Sequence, residues 1–236
     1  VDPLGVGGEL RAGLLVPPAV LLGIVLSHRV TMQDRLGLDW DQPIRHTREY
    51  LSVLNPLLAQ QPATFEGEEF RVTGAQLGVP GATAPSVLVA ALGPQMLKLA
   101  GQLSDGTAIW MGGPRYLAEH AVPALTAAAQ EAGRGAPRVL AGLPVCVTDR
   151  PDEARAFADK AFGRYGQLPS YRAILDKEGA GGPADVALIG SAAEVSAGIR
   201  ALADAGATDL AAAVFALPGD DPAPTYALLQ EHARAV

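Results

Sequence analysis

The sequence predicts an α/β fold built on a parallel sheet, and three features carry that prediction. Apolar runs of strand length alternate with helix-length amphipathic segments, the pattern of a sheet with crossover helices. The runs, Val87 to Ala91 above all, are apolar at every position, as strands covered on both faces require. Hydrophobic residues make up 49% of the 236 positions while aromatics are only 5%, which suits Ala- and Gly-rich helices lying close against a sheet. This length fits one large domain.

Residues 1–19, rich in Gly and Pro, carry no periodic signal and are left unassigned. Gly5, Gly7 and Gly8 follow no strand and precede no Lys or Ser/Thr at phosphate-loop spacing. The apolar stretch Leu14 to Leu26 is too short to span a membrane, is broken by Pro17 and Pro18, and lacks a basic leader and cleavage site. A soluble, cytoplasmic protein without a membrane partner is therefore expected. Val20 to Val25 reads as a buried strand, followed by Ser27, His28 and Arg29 at its end. Gln42 to Ala59 reads as a helix with Pro43 in its first turn and Ile44, Leu51, Leu54 and Leu58 on one face. Phe65 to Val72 reads as a short hairpin or irregular strand, with Glu66, Glu68 and Glu69 expected on a solvated face.

The strand Val87 to Ala91 enters a helix through Gly93 and Pro94, and that helix ends near Leu103. Glycine permits the sharp turn, and proline fits the first helical position, where no amide hydrogen is needed. The amides of Gln95 and Met96 then lack helical partners at the positive end of the helix, which makes an anion site whose usual guest is a phosphate. An ordinary turn without a ligand is the alternative. A strand from Thr107 to Met111, a helix from Pro114 to about Ala132, a strand from Val139 to Val147 and a helix from Pro151 to Tyr165 follow. Gly166 to Pro183 reads as irregular, with one short helix around Tyr171 to Lys177. Ser191 and Glu194 have capping-box spacing and open a helix to Ala205. Leu210 to Phe215 and Pro222 to Ala235 complete the series as strand and helix.

Strand and helix thus alternate five times. The order favours a TIM-type (β/α)8 barrel, which needs eight units. At roughly 30 residues per unit, about ninety residues would be missing from the front. The residues alone leave two arrangements open, an N-terminally incomplete barrel and an open doubly wound sheet. No linker divides residues 20–236, so they are read as one domain.

Composition removes several functions. A net charge of −7 without a basic stripe argues against nucleic acid as a partner. The single cysteine, Cys146, cannot form an internal disulfide and sits in an apolar run, so an inert buried thiol in a reducing compartment is expected. His46, His120 and His232 lie on helices without ligand spacing, and no metal site is expected. No Gly-x-Ser-x-Gly elbow is present.

At this point the segments 22–29, 46–50, 65–69, 89–94 and 99–106 resemble, in order and spacing, the luciferase-like oxidoreductases. Segments 165–173 and 182–186 are most similar to the actinobacterial branch that uses coenzyme F420. The likeness runs from about residue 21 to the C-terminus. It implies an incomplete (β/α)8 barrel in which strands four to eight are readable. It further implies a cofactor phosphate at Ala91, Leu92, Gly93, Pro94, Gln95 and Met96. His28 would then face the cofactor ring and donate a proton to the substrate, while Trp110 and Met111 wall the substrate pocket. Where the family usually has a second glycine, this chain has Val25, which is expected to crowd the ring. The implied function is hydride transfer between F420 and a small organic substrate, with homo-oligomerisation allowed. The alternatives are an FMN-dependent monooxygenase and a truncated barrel without turnover.

Overall fold

The computed structural model describes residues 20–234, so the glycine cluster at 5–8 and the first part of the apolar stretch 14–26 lie outside the described residues. The described chain forms two compact units. One comprises the chain up to Thr107 with Ala124–Pro137, the other Ala108–Pro123 with everything from Arg138 onward. The α/β class and the parallel pairing hold in both, and among the described residues no strand pairing closes a barrel.

In the first unit, β1 (Leu21–Ile24) runs parallel to β4 (Ser86–Ala90), with Leu21 opposite Ser86 and Ile24 opposite Val89. Val87, Leu88 and Val89 are buried, as a run apolar at every position demands. The chain between these strands carries α1 (Pro43–Leu58) and an antiparallel hairpin, β2 (Ala63–Glu66) and β3 (Arg71–Ala75). The helix α2 (Pro94–Leu103) follows β4 and buries Met96, Leu97, Leu99 and Ala100. At the start of β5 (Gly106–Trp110), Asp105 and Val87 exchange hydrogen bonds of 2.8 Å each way, and Thr107 Oγ1 donates to the Val89 carbonyl at 2.8 Å.

The hairpin is held by one carboxylate. Glu49 of α1 is only 7% exposed and accepts from the backbone amides of Glu68, Glu69 and Phe70 at 3.1, 2.8 and 3.0 Å. Burial opposes its charge, but the three amides outweigh it and hold its pKa below the usual carboxylate value. The solvated face expected for Glu66, Glu68 and Glu69 holds, since all three are exposed, and ion pairs lie on it. Arg45 ties Glu68 and Glu69 to α1, the latter at 2.8 Å, and Arg71 pairs with Glu66 at 3.0 Å. Arginines one helix or one strand away make these carboxylates partners rather than bystanders.

In the second unit, β6 (Arg138–Val147) pairs in parallel with β8 (Asp209–Val214) and with β7 (Leu188–Gly190). Val145 pairs with both, so the two lie on opposite edges of β6. The three-residue β7 was not expected from the sequence. After β5 the chain is helical through α3 (Pro114–Tyr116), a π-helical turn (Leu117–Ala121) and α4 (Val122–Glu131). Helix α5 (Pro151–Phe162) ends before Tyr165, which sits on a 3-10 turn. Then come α6 (Pro169–Glu178), the short α7 (Pro183–Val186), α8 (Ala192–Asp204) and α9 (Ala223–Arg234). The expected capping box is present, with the Ser191 amide donating to Glu194 at 2.8 Å and the Glu194 amide to Ser191 Oγ at 3.4 Å.

Side-chain alternation separates the two faces of this sheet. Val145, Ala212 and Val214 pack with Val195 of α8 and Leu228 and Leu229 of α9. Gly142 and Phe215, of opposite parity, face the other way, and there Gly142 lies under the ring of Trp110.

Candidate functional site

The turn from β4 into α2 places Gly93 as the N-cap, with φ −111° and ψ 160° and no side-chain cap. Gly93, Pro94 and Gln95 are exposed, whereas Ala91 and Met96 are buried. Among the described residues, a Cβ built on Gly93 would meet nothing within 4 Å, so there is open space at that position. The Leu97 amide already returns to the Gly93 carbonyl at 2.9 Å. Among the described residues no partner is recorded for the amides of Gln95 and Met96. An open corner with two outward amides at a helix N-terminus is chemically fitted to a phosphate. The six expected residues are contiguous in this one turn.

A second Gly-Pro corner, after β5, is closed. Glu178 of α6 accepts from the amides of Tyr116 at 2.6 Å and Arg115 at 3.3 Å, in a cradle that a side chain on Gly113 would fill. This corner shows what the amides of such a turn do, since they hold an oxyanion. At the turn after β4 none of the described residues supplies one to Gln95 or Met96.

His28 is displaced from its expected place. The strand β1 stops at Ile24, Ser27 takes a left-handed φ of 62°, and a π-helical segment (Val30–Arg35) begins just after. The His28 carbonyl receives the amides of Thr31 and Met32 at 2.9 Å each, so this residue starts a helical turn instead of ending a strand. Its side chain is half-buried. Val25 lies beyond the strand and is 70% exposed, Val20 is 63% exposed and no residue of β1 is buried. The buried strand expected over 20–25 is corrected: among the described residues it pairs with β4 on one side only.

Trp110 ends β5 and Met111 follows it with a φ of 62°. Met111 is 0% exposed and presents no open wall. Trp110 retains some exposure, and its ring meets Phe162 and Tyr165 edge-on at 6.2 and 5.9 Å. Its Nε1 is shut off from solvent and, among the described residues, has no hydrogen-bond partner.

Sequence reasoning missed an open recess of about 760 Å³ at the carboxyl ends of β6, β7 and β8, the end at which barrel enzymes carry their sites. Thr148, Arg150, Ser191 and Asp220 line it. Arg150 Nη2 grips Asp220 at 2.6 and 2.7 Å. Cys146 lies at its edge, 2% exposed, its thiol pKa pushed up by burial and then by Asp220. The recess is assembled from loops far apart in sequence, which leave no local motif. Burial also pushes the Tyr116 phenol up to about 12.

The family model described as luciferase-like monooxygenase matches residues 15–209. The 5,10-methylenetetrahydromethanopterin reductase of Methanolobus tindarius is 32% identical over 136 residues, 58% of this chain and 41% of that protein. The F420-dependent glucose-6-phosphate dehydrogenase of Microbacterium testaceum is 29% identical over 154 residues, 64% and 46% of the two chains. The chain therefore spans less than half the length of these two relatives. Among solved structures, an F420-dependent secondary alcohol dehydrogenase in complex with an F420-acetone adduct superposes with a TM-score of 0.71 at 18% identity, over 93% of this chain and 69% of that one.

Proposed function

Because the chain belongs to the luciferase-like monooxygenase family, we propose that it serves hydride transfer between coenzyme F420 and a small organic substrate. The observation that carries this reading is the open corner at Gly93, where the amides of Gln95 and Met96 would take the cofactor phosphate. The F420-dependent glucose-6-phosphate dehydrogenase among the relatives supports the choice of cofactor. When bound, F420 would supply or accept the hydride, and the organic chemistry is then the cofactor's own.

This chain's residues bind and orient. Ala91 and Leu92 link the buried strand β4 to the turn, Pro94 presets the first helical φ, and the next two amides hold the oxyanion. A phosphate there also completes the helix N-terminus, so its binding and the order of α2 support each other. His28 is the residue assigned to proton transfer, since an imidazole titrates near neutrality.

Titration with F420 and with FMN tests the reading. Saturable binding of F420, with FMN weaker, supports it. Preference for FMN favours the monooxygenase alternative, and binding of neither overturns both.

A further inference from the structure

Trp110 offers a donor that the fold leaves unspent. Among the described residues its Nε1 is buried without a hydrogen-bond partner, and an unmade bond of this kind costs about 1–3 kcal/mol. Native proteins rarely leave such a group unexplained. The indole lies at the carboxyl end of β5 with Gly142 beneath it, where any larger side chain would collide with the ring. Its ring neighbours, Phe162 and Tyr165, continue into Phe215 and Tyr171. The chain has two Trp, five Tyr and five Phe. Gathering several of them on the sheet face away from α8 and α9 is a heavy investment of aromatic surface.

The geometry points to Trp110 as the specificity-determining donor for a small, apolar organic substrate that carries a single acceptor oxygen, a ketone or an alcohol. Aromatic walls favour the apolar body, and one N–H fixes where its oxygen sits. A charged substrate such as a sugar phosphate finds no cation among the indole's ring neighbours, and burying an unpaired charge there is costly. Tyr165, whose ring meets the indole edge-on, sits on a single 3-10 turn between α5 and α6. This assignment deepens the proposed oxidoreductase reading and rests on it.

The test uses the indole N–H signals of ¹⁵N-labelled protein. Only Trp40 and Trp110 contribute, and Trp40→Phe identifies the second. Cyclohexanone is expected to move the Trp110 signal downfield in a saturable way, whereas cyclohexane and glucose 6-phosphate leave it in place. Trp110→Phe, followed on the ¹³C-methyl signal of Met111, is expected to weaken cyclohexanone binding about five- to tenfold, the worth of one hydrogen bond. A Trp110 signal indifferent to cyclohexanone, or one moved equally by glucose 6-phosphate, overturns the assignment. So does unchanged affinity in Trp110→Phe. Titration with F420 addresses the cofactor reading separately, so failure of one is distinguishable from failure of the other.

Discussion

Replacing Gly93 by Asp puts a carboxylate where the account places the oxyanion of a ligand. The backbone there is extended, φ −111° and ψ 160°, and accepts any L-residue; a Cβ has open space around it. An N-cap aspartate accepts from the amides of the second and third helical residues, here Gln95 and Met96. The helix therefore gains a few tenths of a kcal/mol over glycine, and Tm holds or rises slightly. The ligand, by contrast, loses both amides. Hydrogen bonds to a charged group contribute about 1.5–3 kcal/mol each, so losing two costs about 3–6 kcal/mol, roughly 10²- to 10⁴-fold in affinity. Gly93→Ala adds a methyl without a cap and is expected to stay within a few-fold of the parent. Thermal melts and titrations monitored by F420 fluorescence read both effects. A Gly93→Asp variant that folds and binds F420 like the parent refutes the reasoning.

Other positions make independent tests. A Cβ on Gly101 of α2 would lie 2.5 Å from the Leu125 carbonyl oxygen and 2.8 Å from Ala128 Cβ. Overpacking of about 1–3 kcal/mol outweighs the roughly 1 kcal/mol of helix propensity gained, so Gly101→Ala should lower Tm, and an unchanged or higher Tm contradicts that packing. The lowered pKa of Glu49 makes its contribution to stability complete above the ordinary value of 4.5 and lost as pH falls through the folded-state value. Glu49→Gln should therefore flatten the decline of Tm on acidification, and parallel Tm–pH curves would count against the role given to it. Cys146, buried and with a raised thiol pKa, should resist a thiol reagent in the native chain and react once denaturant is added. Prompt labelling of the folded protein would show the thiol to be accessible.

What could be read from the sequence was local. The Gly93–Pro94 corner, the Ser191–Glu194 capping box and the long apolar strands each depend on residues within a few positions of one another, and each stands where expected. What was missed depends on distant partners or weak signals. Glu49 reaches amides 19 to 21 positions away, and Glu178 closes the turn after β5 from 62 positions along the chain. The strand β7 has three residues, too few to show a period. His28 lies past its expected strand end because β1 stops at Ile24, and the left-handed φ of Ser27 is usually signalled by glycine. The Trp110 nitrogen without a partner among the described residues is a property of packing, invisible to composition.

The most direct measurement is the backbone ¹H–¹⁵N spectrum of the chain with and without F420. Binding as described should move the Gln95 and Met96 amide signals downfield, saturating together with the cofactor fluorescence. If F420 binds while both amides stay where they were, the cofactor is held elsewhere and the Gly93 corner is an ordinary turn.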